Sequence, residues 1–344
     1  MNMKKLDYLT LKLTNKCNMN CYMCGQNYEE GNDYNKDLEF SLIKRRIDEA
    51  DTLKTVYLFG GEPLLYPDFS QLLDYLKNRN MKILITTNGV LLKRYIEDIV
   101  SAQVRDLTIS IDSLHKETYK KIRGNDNLEI VLNNIRELIR YRKLHDLKYP
   151  KLGVNFVILP ENQNEMISFY EALVNEFPEI ERINFEAPMM VCSKAGEEYK
   201  EIMKKNFGII ADSWKCFENR IHDFSQKDIE NIIKQISELK NRPKVTFLAP
   251  TIPEEIKQVF EKRDSSIVGS CNIALHALTI LPEGDVVTCT DFPDLVVGNI
   301  QDNSLHDILN NSKMNMFRSY LKENRRLPIC NSCPRQYDKG DFLI

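Results

Sequence analysis

Six alternations of strand-like and helix-like segments between residues 8 and 188 restrict the fold more than anything else in this chain. "YLTLKLT" (8–14), "TVYLFGGEP" (55–63), "KILITTNG" (82–89), "DLTISID" (106–112), "KLGVNFVILP" (151–160) and "RINFEAP" (182–188) read as strands. Helical apolar spacing separates them at 38–51, 69–80, 91–102, 128–144 and near 163–177. A strand followed by a crossover helix returns parallel to its predecessor, so the repeat predicts a parallel sheet of α/β type. The near-continuous apolar runs "KILITT" and "VNFVIL" fit strands covered on both faces. Gly, Asn, Asp and Pro collect where the strands end, the edge at which α/β sheets bind ligands.

The pattern changes after about residue 190. Residues 196–241 are charged and mostly helical, and 252–263 read as another helix. A hairpin follows, "ALTILPEGDVVTCTD", turning at Pro-Glu-Gly-Asp. A helical stretch, "SLHDILNNSKMNMFRSYLKE", then leads to "CNSCPRQYDKGDFLI". At 344 residues with 42% apolar content, two or so domains with a sizeable core are expected.

A net charge of -3 argues against a nucleic-acid partner, which calls for a basic patch. No stretch has the apolar length of a membrane span, and "MNMKKLDYLTLKLTNK" lacks the apolar heart of a secretion signal. A cytoplasmic protein without a membrane partner is the expectation. Clustered cysteines in that reducing setting are metal ligands or catalytic groups before they are disulfides, and the total of nine is odd.

Three of the nine stand as Cys17-x3-Cys21-x2-Cys24 in the loop after the first strand. A structural zinc site closes with four ligands, and the next cysteine, Cys192, is far downstream. A four-iron cubane on three protein thiolates keeps one iron open, as chemistry at the cluster requires.

This spacing, on this loop of a parallel α/β repeat, resembles the radical S-adenosylmethionine (radical SAM) superfamily. The resemblance covers roughly residues 6–190 and implies a partial (β/α)6 TIM-like barrel. It also implies that the open iron chelates the amino and carboxylate groups of S-adenosylmethionine. Reductive cleavage there yields a 5'-deoxyadenosyl radical that abstracts a substrate hydrogen atom. An external low-potential donor, flavodoxin or ferredoxin-like, would supply the electron. "GGEP" (Gly60, Gly61, Glu62, Pro63) looks like the motif that binds the methionine amino group, its glycines allowing close backbone approach. "TTNG" with Asn88 closes the third strand. Ser110 and Asp112, at alternate positions of the fourth strand, match the source of ribose and carboxylate contacts. Arg123 stands where relatives place an arginine on the cofactor carboxylate, and Asn155 is a candidate ribose contact. Met23 departs from the usual aromatic residue, at a position where adenine is met mainly by backbone.

Four more cysteines follow: Cys271 and Cys289 as Cys-x12-Gly-x4-Cys, then Cys330 and Cys333 as Cys-x2-Cys. Four thiolates alone fit zinc or a fully ligated [4Fe–4S] cluster. Beside the first half, the region resembles the twitch domain, the shortened SPASM domain, a small α+β unit. One auxiliary [4Fe–4S] cluster is implied, since no cysteine follows Cys333. The expected domains are 1–195 (barrel), 196–263 (mostly helical bridge) and 264–344 (auxiliary cluster).

Cys192 follows the sixth strand and is a candidate hydrogen-atom donor, with an incidental thiol as the alternative. Cys216 carries a weaker signal, Trp214 reads as core, and the five histidines are dispersed. Met189 and Met190 fit pocket lining or gap filling. A barrel beginning near residue 8 leaves no room for a leader-recognition domain. That favours a small molecule, such as a carbohydrate or aminoglycoside-like compound, over a ribosomal peptide. The ending "DFLI" differs from the Gly-Gly end of the molybdenum-cofactor cyclase. The rival of another class is a non-catalytic iron–sulfur or zinc module.

Overall fold

The computed structural model describes residues 6–28, 33–218, 221, 223–262, 271 and 277–337. Six strands come in the expected order: β1 (Tyr8–Lys12), β2 (Thr55–Phe59), β3 (Lys82–Thr87), β4 (Asp106–Ser110), β5 (Lys151–Val157) and β6 (Ile180–Glu186). Each pairs in parallel with the next. The crossovers are α1 (Phe40–Asp48), α2 (Phe69–Asn78), α3 (Ile96–Ser101), α4 (Lys116–Arg123), α5 (Leu128–Leu144) and α6 (Met166–Glu176). Leu9, Leu11, Val56, Leu58, Ile83, Ile85, Leu107, Ile109, Val154 and Phe156 point outward from alternate strand positions and are buried beneath these helices.

Two elements depart from the sequence reading. The 91–102 helix splits into a 3-10 turn (Leu92–Tyr95) and the shorter α3. α4, which the apolar pattern does not announce, forms on eight residues and stops at Gly124, whose φ of 77° lies in the left-handed region that glycine tolerates.

The sheet does not end at β6. After α7 (Ser193–Phe207) and α8 (Gln226–Leu239), β7 (Val245–Leu248) adds parallel to β6, so the bridging region holds a strand as well as helices. α9 (Pro253–Lys262) follows. The expected boundary at 263–264 lies outside the described residues. On the opposite edge β8 (Ala277–Ile280) pairs in parallel with β1. β9 (Asp285–Val287) and β10 (Val296–Asn299) continue antiparallel, giving one ten-stranded sheet. The C-terminal region is therefore built onto the first strand. α10 (Leu305–Asn310) and α11 (Ser312–Asn324) cover it. The seam is polar as well: the buried Arg46 of α1 donates from Nε to the Ile300 carbonyl (2.7 Å) and from Nη2 to that of Gln301 (3.1 Å).

The sheet is strongly curved. Tyr57 on β2 and Glu186 on β6 are four strand spacings apart, about 19 Å in a flat sheet. Yet Tyr57 carries the electrostatic influence of Glu186, both carry that of Arg335, and the Pro334–Tyr337 turn, which follows the strands of one edge, packs against β7 at the other. The inner face therefore wraps a lumen, as a partial barrel does, and the last described turn reaches into it. No helix among the described residues is long and apolar enough to cross a membrane.

Candidate active site

The cysteine loop is fastened on three sides. Leu13 N–H donates to the Phe59 carbonyl (2.9 Å), continuing the β1–β2 ladder. Gly61 N–H donates to Thr14 O (2.8 Å) and Glu62 N–H to Lys16 O (2.7 Å), lacing the end of β2 to the loop. From the other side, Asn20 and Tyr22 N–H groups donate to the carbonyls of Arg123 and Ile122 at the end of α4. The Tyr22 hydroxyl donates to Glu161 (2.6 Å), so the residue between the cysteines is anchored to the loop after β5. Met23 is half-buried against the core.

This packing explains the glycines. A Cβ on Gly61 would run into the Lys16 carbonyl, and one on Gly60 would lie 2.7 Å from Thr14 O. Both glycines thus admit the protein's own backbone, a reason the sequence reading, which assigned them to ligand approach, did not contain. Glu62 is buried next to them. Its carboxylate accepts from Thr87 Oγ1 (2.6 Å), Asn88 N–H (2.8 Å) and Leu64 N–H (3.1 Å). Burial still pushes it up to about 7. Asn88 also holds the loop, donating from Nδ2 to Asn18 Oδ1 (2.7 Å), while Pro63 begins a short 3-10 turn.

The thiols of Cys17, Cys21 and Cys24 sit close enough to make one another harder to ionise. Cys17 and Cys24 reach solvent along one side, but protein crowds the others. Burial, with Glu62 and then Cys21 and Cys24 adding to it, pushes Cys17 up to about 12 despite the Met19 N–H; burial also raises Cys21 and Cys24. Thiols so costly to ionise alone suit a cationic metal group that takes up their charge.

Asp112 lies two residues beyond the end of β4 rather than within it. It is fully buried; Oδ1 accepts from Val157 N–H (2.8 Å) and Oδ2 lies 2.5 Å from Arg123 Nη2. Arg123 also places Nη1 3.7 Å from Cys21 Sγ. Burial works against the Arg123 charge, but Asp112 and Cys21 raise its pKa overall. Arg123 Nε and Asn15 Oδ1 are buried without a hydrogen bond among the described residues. That polar surplus beside three thiols fits a zwitterionic ligand. Ser110, Asn155 and Asn184 fall in one row across β4, β5 and β6, and Asn184 Nδ2 donates to Asn155 Oδ1 (3.4 Å).

The second thiol set also assembles. Cys289 feels Cys330 and Cys333, and both of those feel Cys271. Burial dominates in raising Cys289, Cys330 and Cys333, and puts Cys330 at about 12. Among the described residues no three His, Cys, Asp or Glu side chains close around a single ion.

A radical SAM superfamily profile matches residues 11–173, and the profile of the SPASM iron–sulfur cluster-binding domain matches 271–334. The chain contains a radical SAM domain. It carries a SPASM domain, and the pair implies S-adenosylmethionine, a [4Fe–4S] cluster and auxiliary iron–sulfur binding. The probable GTP 3',8-cyclase of Methanocaldococcus jannaschii is 31% identical over 174 residues, 49% of this chain and 55% of that protein. The chain thus spans about half the length of the curated relatives it matches. Streptococcus suis SuiB, solved bound to its precursor peptide SuiA, superposes with a TM-score of 0.65 over 98% of this chain and 72% of that one, at 15% identity. The enzyme anSMEcpe, with AdoMet and a Cp18Cys peptide, gives 0.61 over 98% and 92%, at 16% identity. At such identities the likeness is one of fold.

In this radical SAM chain the lumen between the thiol sets holds residues the sequence reading passed over. Glu186 closes β6, Tyr57 lies on β2, Asp291 is two residues past Cys289, and Arg335 is two past Cys333. Strand alternation and those offsets were the available signals. Tyr57 donates to Thr86 Oγ1 (3.0 Å). Glu186 is half-buried and Asp291 exposed; burial raises both carboxyls, and Arg335 works against it. Cys192 stands at the N-terminal end of α7, half-buried. Its neighbour Val191 donates to the Phe217 carbonyl (3.3 Å), and the Phe217 ring packs against Phe292, beside Asp291. Trp214 is core, as expected; His222 and His276 lie outside the described residues.

Proposed function

We propose that this radical SAM enzyme abstracts a hydrogen atom from a compact small molecule held in the lumen, and so oxidises, epimerises or rearranges it. The observation that supports this reading is the buried Arg123–Asp112 pair beside Cys21 at the strand ends, with the Pro334–Tyr337 turn packed against β7 beyond them. Cys17, Cys21 and Cys24 hold the catalytic [4Fe–4S] cluster; Cys271, Cys289, Cys330 and Cys333 hold a single auxiliary one. Once bound, S-adenosylmethionine and the reduced cluster supply the hydrogen-abstracting group. The chain's own residues do the positioning. Gly60–Pro63 and Asn88 fix the cysteine loop and offer backbone groups to the cofactor's amino end. Arg123 gives a cation beside Cys21, and Asp112 orients it. Ser110, Asn155 and Met23 line the path of the nucleoside. Cys192 is the proposed hydrogen donor to the product side.

The reading extends to a cytoplasmic protein reduced by a flavodoxin or ferredoxin-like donor, organised as 1–195, 196–263 and 264–344. A carbohydrate or aminoglycoside-like substrate is favoured. The relatives named as cyclases support small-molecule chemistry in the first half, while the fold shared with peptide-bound SuiB keeps radical modification of a peptide as the second reading.

Anaerobic reconstitution tests the core of it. About eight irons per chain, broad absorbance near ~400 nm and 5'-deoxyadenosine on adding dithionite with S-adenosylmethionine are expected. Tightly bound zinc without cleavage would sink the proposal.

A further inference from the structure

Cys21-x2-Cys24 is a four-residue turn with a thiol at each end. Cys24 N–H closes it on the Cys21 carbonyl (3.0 Å), which also accepts from Asn27 Nδ2 (2.9 Å). Tyr22 and Met23 form the corner. Bonds within a turn set its shape; its tilt against the rest of the protein depends on what holds the corner. The backbone ties from Asn20 and Tyr22 to α4 are long, 3.3 and 3.2 Å. The Tyr22 side chain makes the short one. Its hydroxyl donates to Glu161 Oε2 (2.6 Å), on a carboxylate whose side chain is only 6% exposed.

Glu161 has a rigid seat. It stands next to Asn162, which is fully buried. Asn162 Oδ1 accepts from Leu159 N–H (2.7 Å), and its Nδ2 donates to the carbonyls of Asp112 (2.7 Å) and Val157 (2.9 Å). The loop after β5 therefore reaches the cysteine turn by two arms. One runs through Asn162 and Asp112 to Arg123, beside Cys21. The other runs through Glu161 to Tyr22. Lys121 of α4 meets Glu161 Oε1 (3.2 Å), but the lysine side chain is 65% exposed, so solvent screens that contact.

We propose that Glu161 is a positioning residue of the first thiol set: by holding the Tyr22 hydroxyl it fixes the tilt of the Cys21–Cys24 turn, and so the direction from which both thiols meet a cluster. The inference rests on the reading that Cys17, Cys21 and Cys24 hold the open cluster. It deepens that reading by naming what orients two of the three ligands. Partners outside the ligand shell tune a metal site by orienting the groups that bind it. The acceptor, more than the charge, is what Tyr22 needs from Glu161, and the conservative variant separates the two.

The test compares Tyr22→Phe, Glu161→Ala, Glu161→Gln and Lys121→Gln in the full chain, each reconstituted anaerobically. A cluster whose irons are all ligated by the protein has no position for S-adenosylmethionine. The change that S-adenosylmethionine causes in the electron paramagnetic resonance of the reduced protein therefore reports the first set alone. Tyr22→Phe and Glu161→Ala should alter that difference spectrum. They should also release the iron of one cluster to a chelator about tenfold faster, the scale of one hydrogen bond to a charged group. Glu161→Gln keeps an acceptor for the hydroxyl and should restore the spectrum and most of the retention. Lys121→Gln should match the unmodified protein in both. The double variant Tyr22→Phe/Glu161→Ala should be no worse than the more affected single one, because both remove the same bond. In the metal-free protein, deuterium uptake over residues 17–28 should rise in Tyr22→Phe and Glu161→Ala but not in Glu161→Gln. Unaltered spectra and retention in Tyr22→Phe and Glu161→Ala, equal losses in Glu161→Gln and Glu161→Ala, or additive losses in the double variant overturn the inference. Dithionite-driven 5'-deoxyadenosine formation by the unmodified protein is followed in parallel. Cleavage there with unperturbed variants refutes this inference alone, whereas absence of both cleavage and the spectral change refutes the proposed function and the inference with it.

Discussion

The two thiol sets are held by different means. Cys17, Cys21 and Cys24 ride on one loop, laced by backbone hydrogen bonds to the ends of β2 and α4. Cys271, Cys289, Cys330 and Cys333 are drawn from segments up to 62 residues apart in the chain, brought together by β8 pairing with β1 and by the turn at Pro328–Ser332. The first arrangement is local and leaves one side of the loop open to solvent. The second is assembled by tertiary contacts and gathers four thiols. A local, open site suits chemistry at the metal; a distributed, closed one suits holding a shape.

Substitution should separate those roles sharply. Cys17→Ala removes one of three ligands from the open site, and 5'-deoxyadenosine formation should fall to background, a loss of at least ~1,000-fold on the scale of removing an essential catalytic group. Cys330→Ala should leave part of the cleavage intact while lowering iron by about four per chain. Equal and complete loss of folding in both variants, read by circular dichroism, would end the distinction between the sets.

The lacing gives the next largest effect. Gly61→Ala forces a methyl into the Lys16 carbonyl, where backbone on both sides cannot move without breaking the loop hydrogen bonds. A destabilisation of about 3 kcal/mol or more is expected from overpacking against backbone. Gly208, at φ 71° with nothing near its Cβ position, is the control: alanine there should cost only about 1 kcal/mol of conformational strain. Urea titrations of the two variants compare them directly. Similar losses would mean that the β2–loop seam is softer than its geometry implies.

Much of this was legible from the chain. Six strands and their order follow from apolar runs of period two, because burial beneath helices leaves that mark on every residue involved. The first thiol set was legible because its spacing is written locally, and the second through its Cys-x2-Cys pair and the two cysteines that frame the hairpin. What escaped was long-range or weakly patterned. β7 has four residues, three of them only half-buried, too brief a run to stand out from its helical surroundings. α4 depends on the contacts of Tyr119 and Ile122 more than on a visible apolar stripe. Glu186, Asp291 and Arg335 are scattered across 150 residues, and only curvature of the sheet brings them to one lumen. Asp112 was read as a cofactor contact at the strand edge; its partner in the protein, Arg123, appears only when α4 folds back.

The lumen between the sets has its own signature in pH. Glu186 sits near 4.5 in an unfolded chain and at about 7 in the fold, mainly through burial. The folded state therefore holds its proton more tightly. The contribution is full below pH ~4.5 and is lost as pH rises through about 7, so the group lowers stability across that window. Glu186→Gln should flatten this decline by about 2 kcal/mol between pH 5 and pH 7.5, an order-of-magnitude figure from the linkage relation. Chemical unfolding at several pH values checks it. An unchanged slope would place Glu186 in a wetter setting than the curved sheet provides.

The smallest effect concerns how the four-thiol region is tied to the bridge. Asp294, five residues past Cys289, accepts from the N–H groups of Asp212 (3.0 Å) and Ser213 (3.1 Å), from the Ser213 hydroxyl, and from Tyr199 of α7 (2.9 Å). Tyr199→Phe removes one of those four donors and keeps the ring that packs against Phe292. The remaining three still satisfy the carboxylate, so the cost should be near 1 kcal/mol, the net worth of one hydrogen bond, with no buried charge left unpaired. Cleavage of S-adenosylmethionine at the first loop should be unaffected, since Tyr199 touches the second set's surroundings and not the lacing of the first. Asp294→Ala strips all four donors of their acceptor and should cost several times more. If Tyr199→Phe alone lowered cleavage, the two thiol sets would be coupled through α7, and the division between an open reactive loop and a closed distributed site would give way to a single cooperative unit.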